Sequence, residues 1–294
     1  MNIIKPEKLK RGDTLAVIAP CGNVDTEKIN IAVKYLENQG YKVKVGSNTD
    51  KNYRYMAGFD EERLEDLSQA FADKKVKGII CARGGYGALR LIDRIDYSII
   101  QNNPKIFCGY SDVTALSAMI LKNTGLITFS GPMAQSDFVN PESFTCENFW
   151  ETLKNTQKQI TADNLKIYKE GNTKGILFGG NLATIASLCG RNFVPDRDFI
   201  FFCEDLNEQV YKIDKYFHQL TALPDFKKNL KGIILGDFLD TDNEEWLEEL
   251  FTELVSELNI PVLGGYPISH SSRKDTIPYG AEAELNNGIL TIKY

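Results

Sequence analysis

Histidine is almost missing from this chain: among 294 residues only His218 and His270 occur. A catalytic zinc built on two or three imidazoles is thereby nearly excluded. Cysteine is present but unorganised. Cys21, Cys81, Cys108, Cys146, Cys189 and Cys203 are scattered, with no Cys-x-x-Cys pair, so neither a metal ribbon nor a redox motif is on offer. Cys81, Cys108 and Cys203 end apolar runs, as free packed thiols of a reducing compartment do. No apolar run reaches the roughly 20 residues of a membrane span. The lysine-bearing start, Met1 to Arg11, holds no apolar stretch of signal-peptide length. Positive charge is not in excess either: the formal net charge is −6, which argues against a broad electrostatic grip on nucleic acid. The expectation is a soluble cytoplasmic protein without metal or cofactor, and with no nucleic-acid or membrane partner.

What is there is ordinary globular composition, 43% hydrophobic and 25% charged, in a chain long enough for two domains with a core each. The first half alternates apolar strands with amphipathic helices. Thr14 to Ala19 is a strand stopped by Pro20-Cys21-Gly22, and Asp25 or Thr26 can cap the helix that Gly40 ends. Tyr41 to Val45, Gly78 to Ala82 and Lys105 to Cys108 read as further strands, with a helix from about Glu61. Such alternation predicts an α/β fold with a mostly parallel sheet and flanking helices over residues 1–135. Residues 136–172 are polar and weakly periodic, which reads as a linker with one helix near Cys146 to Lys154. Residues 173–294 then form a second domain. It has strands at Phe199 to Cys203 and Lys231 to Leu235, helices from Leu182, from Glu208 and over Glu244 to Leu258, and a closing hairpin around Asn286-Asn287-Gly288.

Four segments carry candidate chemistry. In Ile106 to Leu116 an apolar strand runs through Gly109-Tyr110-Ser111 into a helix. This is the layout of a nucleophile elbow, which holds a hydroxyl up at a helix N-terminus where an oxyanion is favoured. Val113 replaces the last glycine of the usual pattern, and an N-cap role for Ser111 stays open. Arg83-Gly84-Gly85-Tyr86-Gly87 follows a buried strand; it fits an anion-binding nest or a simple tight turn. The strand Phe199 to Cys203 ends in Glu204-Asp205, where open α/β sheets place their sites. Asp205 suits a helix cap with Glu208 completing a capping box, which leaves Glu204 without a local role. Finally, His270 lies in a loop-like stretch of small residues, which suits a general base. His218 falls beside the apolar stripe of a helix and reads as a boundary residue. The chain order serine, carboxylate, histidine is that of acid-bearing hydrolases.

Taken together, four segments resemble the LD-carboxypeptidase family of serine peptidases, which includes the microcin C7 self-immunity peptidases. They are Arg83 to Gly87, Gly109 to Asp112, Gly179-Gly180-Asn181-Leu182, and Phe202 to Asp205 with Tyr211-Lys212-Ile213-Asp214. Gly12-Asp13, Ile18-Ala19-Pro20 and Pro261-Val262-Leu263 leading to His270 also fit. The resemblance implies a C-terminal domain with β-barrel character and a site between the domains. It implies Ser111 as nucleophile, His270 as base, Glu204 as its orienter, and an oxyanion hole placed at the amides of Gly85 and Asp112. Ser269-His270-Ser271 departs from the Gly-His-Gly of many members, which bears on loop shape and substrate fit. The implied activity is removal of the terminal D-alanine from a murein tetrapeptide, an L,D bond, during cell-wall recycling. Arg83 is the candidate to hold the leaving carboxylate, against a structural salt bridge. Two other readings stay open: a microcin-type peptidase or amidase, and a non-catalytic small-ligand binding protein. The partner expected is a small muropeptide, with a homodimer kept in view.

Overall fold

The computed structural model describes residues 2–294. The first half builds β1 (Thr14–Ile18), α1 (Thr26–Asn38), β2 (Lys42–Val45), α2 (Asp60–Ala72), β3 (Val76–Cys81), α3 (Tyr97–Asn102), β4 (Ile106–Cys108), α4 (Val113–Thr124) and β5 (Thr128–Ser130). Asp25 caps α1 by accepting from the amides of Glu27 and Lys28. Ile79, Ile80 and Cys81 are fully buried, as a strand covered on both faces requires. α4 is buried nearly all round, from Val113 to Leu121, because it lies between the first sheet and the second half of the chain.

The second half begins before residue 173. Residues 136–172, expected to be a linker with one helix, hold the end of α5 (Ala134–Asp137), then α6 (Ser143–Lys154), β6 (Gln157–Thr161) and β7 (Lys166–Lys169). The reason is chemical: β6 and β7 are the two edges of the second sheet, and edge strands are polar because one flank faces water. In β6 only Ile160 is buried. Next come β8 (Thr173–Asn181), α7 (Leu182–Ala186), β9 (Phe199–Leu206), α8 (Val210–Thr221), α9 (Pro224–Asn229), β10 (Leu230–Leu239), α10 (Glu244–Leu258), β11 (Val262–Gly264), β12 (Ile277–Tyr279), β13 (Glu282–Asn286) and β14 (Ile289–Lys293).

Two sheets result. The first has the order β12-β5-β4-β3-β1-β2, parallel except for β12, which pairs antiparallel with β5. The second has the order β6-β14-β13-β8-β9-β10-β11-β7, with a parallel centre from β8 to β11. Its edges do not pair with each other, so among the described residues the expected barrel character gives way to an open mixed sheet. A strand from the far end of the chain thus completes the first sheet, and the halves are interlocked. No helix among the described residues is long and apolar enough to cross a membrane.

Candidate active site

The strand order of the first sheet reverses at β1, with β2 on one side and β3, β4 and β5 on the other, and the crevice outside the carboxyl ends of the strands there is where such sheets bind ligands. β4 delivers Ser111 to that crevice. Ser111 has φ 61°, a left-handed conformation that costs about 1–3 kcal/mol in a non-glycine residue and persists only when its surroundings impose it. It is not the cap of α4; that place falls to Asp112, whose side chain makes no cap bond. Gly84 lies against Ser111 so closely that a Cβ there would sit 2.7 Å from Ser111 Oγ. Glycine is therefore needed where the turn after β3 passes under the hydroxyl. Gly85, at φ 97°, is exposed on the same turn. Neither its amide nor that of Asp112 donates to a protein acceptor among the described residues.

β9 runs three residues beyond the expected end at Cys203, so both carboxylates belong to the strand and point apart. Glu204 is 3% exposed, and its Oε2 lies 2.5 Å from His270 Nδ1. Asp205 turns the other way. It accepts from Asn181 Nδ2 at 2.8 Å and from the amides of Ala183 and Leu206, both at 2.9 Å. It therefore serves the start of α7, not of α8, whose N-cap is Gln209. Burial, only partly offset by those amide bonds, pushes the Asp205 carboxyl up to about 6.

His270 sits on the loop between β11 and β12. Burial works against its charged form, but the Glu204 hydrogen bond and the charges of Glu204 and Asp205 outweigh it, so its pKa is raised. Its ring packs edge-on against Tyr110, the residue before Ser111, with centroids 5.1 Å apart. The imidazole and the Ser111 turn are thus neighbours, although no hydrogen bond joins Ser111 and His270 among the described residues. The serines flanking the imidazole brace the loop: Ser269 Oγ accepts from the Ser271 amide, and Ser271 Oγ donates to the Arg273 carbonyl. His218 is elsewhere, exposed on α8 at 3.2 Å from Asp214.

Arg83 is half-buried and forms no salt bridge among the described residues; its Nη1 donates to the Asn23 carbonyl at 3.1 Å. Three neighbours escaped the sequence reading. Lys274 is 3% exposed, with Nζ 2.5 Å from Asp137 Oδ1 and 4.6 Å from the centre of the Tyr110 ring. A lysine so buried has no sequence signature except its place four residues after His270. Tyr110 and Asp137 were equally silent, since their partners are remote in the chain.

Known proteins resemble this chain along both of its halves. Residues 15–131 match the LD-carboxypeptidase N-terminal domain and residues 174–285 its C-terminal domain. A probable murein peptide carboxypeptidase of Bacillus subtilis is 36% identical, over 98% of this chain and 93% of the relative. Among solved structures, an MccF-like protein of Bacillus anthracis superposes with TM-score 0.90 at 30% identity, over 99% of both chains. A muramoyltetrapeptide carboxypeptidase of Oxalobacter formigenes superposes with TM-score 0.86 at 32% identity, over 96% of this chain and 99% of that one. A strained serine between strand and helix, a buried carboxylate on an imidazole and matches along both halves make this chain a member of the LD-carboxypeptidase family, a serine-type hydrolase.

Proposed function

We propose that the protein removes the terminal D-alanine from murein tetrapeptides, cutting an L,D bond, and does so in the cytoplasm as cell-wall fragments are recycled. The observation that carries this reading is the Glu204–His270 pair set beside the Ser111 turn. Its support is the murein peptide carboxypeptidase identity of the relatives.

In this mechanism His270 Nε2 takes the Ser111 proton as Oγ attacks the scissile carbonyl. Glu204 accepts from Nδ1–H, which selects the tautomer and stabilises the imidazolium. The tetrahedral oxyanion is received by the amides of Gly85 and Asp112, both without an acceptor among the described residues. The imidazolium then protonates the departing amine, and water repeats the sequence on the acyl-enzyme. Arg83, with no carboxylate partner among the described residues, is placed to bind the carboxylate of the leaving amino acid.

The test is release of free D-alanine from purified tetrapeptide, with Ser111→Ala as the control. The side chain is half-buried beside an open turn, so its loss leaves folding intact while hydrolysis falls to background. Unchanged turnover in that variant sinks the reading. The likeness to an MccF-like protein favours one second reading, a microcin-type peptidase. Preference for an acyl-sulfamoyl aminoacyl nucleotide over the muropeptide would select it.

A further inference from the structure

We propose that Arg63 and Asp112 are positioning residues for the oxyanion hole, holding the Gly87–Ala88 peptide from its two opposite sides. The inference rests on the serine-peptidase reading above. Arg63 comes from the middle of α2 and its side chain is fully buried. Its Nη1 donates to the Gly87 carbonyl at 3.0 Å and to the Pro20 carbonyl at 2.6 Å. On the far side of the same peptide unit, the Ala88 amide donates to Asp112 Oδ2 at 2.9 Å. The carbonyl oxygen thus meets a guanidinium and the N–H meets a carboxylate, so the plane of one peptide is set by two buried charges of opposite sign.

That peptide closes the turn bearing Gly85. Gly87, at φ 142°, presses so closely on Arg63 that a Cβ would lie 2.4 Å from Nη1. The Pro20 bond ties the loop after β1 to the same cation, and the Gly22 amide donates to the Gly84 carbonyl at 2.9 Å. Asp112 therefore acts twice: its own amide is one oxyanion donor, and its side chain anchors the turn that carries the other. The arrangement is costly as a mere fold stabiliser. Arg63 Nε is buried with no acceptor among the described residues, and a guanidinium buried with an unmatched N–H weakens a core relative to apolar packing. Its neighbour Asp60, 2.5 Å from Nη2, balances the charge and is itself held by Arg90.

The experiment compares Arg63→Met, Arg63→Lys and Asp112→Ala with the wild-type enzyme. One readout is kcat and KM on the tetrapeptide. The other is the rate of Ser111 labelling by an alkyl fluorophosphonate, in which Oγ attacks phosphorus, fluoride leaves, His270 takes the proton and the phosphoryl oxygen occupies the hole. Melting temperature is followed alongside. Loss of one oxyanion donor costs 10²–10³ in other serine hydrolases, so displacing one is expected to lower kcat and labelling by about 10- to 100-fold with KM nearly constant. Arg63→Lys should recover part of this, and the Arg63→Met/Asp112→Ala pair should lose little more than the worse single variant, because both act on one peptide. Folded variants that label as fast as wild type overturn the inference. So does a rise in KM at constant kcat, and so does failure of every variant to fold, which would make the residues structural. A wild-type enzyme that the fluorophosphonate does not label refutes instead the serine-peptidase reading beneath it.

Discussion

Glu204 and Asp205 are adjacent carboxylates with different work, and the backbone decides which does what. Along an extended strand successive side chains face opposite ways, so one reaches His270 and the other the start of α7. Glu204→Gln is expected to lower kcat by about 10³- to 10⁴-fold, the scale of the corresponding change in another serine protease. Asp205→Asn is expected to cost about 1–2 kcal/mol of stability, since an amide cannot satisfy three donors as a carboxylate does, with turnover little changed. Steady-state kinetics and melting curves on both variants check the pair; an inactive Asp205→Asn would exchange the roles. The pH profile follows from His270. A general base works neutral, and the Glu204 interaction raises the imidazole pKa, so the acid limb of kcat/KM should lie above the usual value of about 6.5. In whatever activity Glu204→Gln retains, that limb should move to lower pH; a limb fixed in both enzymes would show that another group titrates. Ser111, Glu204 and His270 were visible to sequence reasoning because each stands at the end of an apolar run or in a loop of small residues. Arg63, Tyr110 and Lys274 were not, because a buried charge or a buried phenol inside an apolar pattern looks like a surface position until its partner is seen.

At the scale of elements, legibility followed burial. Strands buried on both faces, such as β3 and β9, are continuous apolar runs and were read within a residue or two at their starts. α10 and the final hairpin were read equally well, one from its 3.6-residue stripe and the other from Asn287-Gly288, whose φ values of 48° and 77° fit a two-residue turn. The half-wet edges β6 and β7 were missed because an edge strand and a loop have the same composition. Two glycines separate site from scaffold. Gly84→Ala should push the Ser111 hydroxyl out of place, lowering kcat at least 100-fold, on the order expected when a catalytic group moves by about 1 Å. Gly288→Ala should cost about 1 kcal/mol through its positive φ and leave kcat alone. Similar kcat values for the two would mean that the turn beneath Ser111 tolerates displacement.

The whole molecule is held together by exchange between its halves. β12 belongs to the C-terminal region in sequence and to the first sheet in space. Lys274, just before it, is paired with Asp137 at the end of α5, and α4 is buried against α7 and β8. Neither half hides its apolar surface alone, so calorimetry should show one cooperative unfolding transition; two well-separated transitions would contradict this. The interleaving has a consequence for rate. The loop that carries His270 leaves the second sheet at β11 and enters the first at β12, so the imidazole is slung between the two sheets like a rope bridge. A small slip at that seam, far short of melting either sheet, is expected to carry the imidazole away from the Ser111 turn. On gradual addition of urea, hydrolysis should therefore fade while the far-ultraviolet helix and strand signals are still intact, and this enzyme would fall silent before it comes undone.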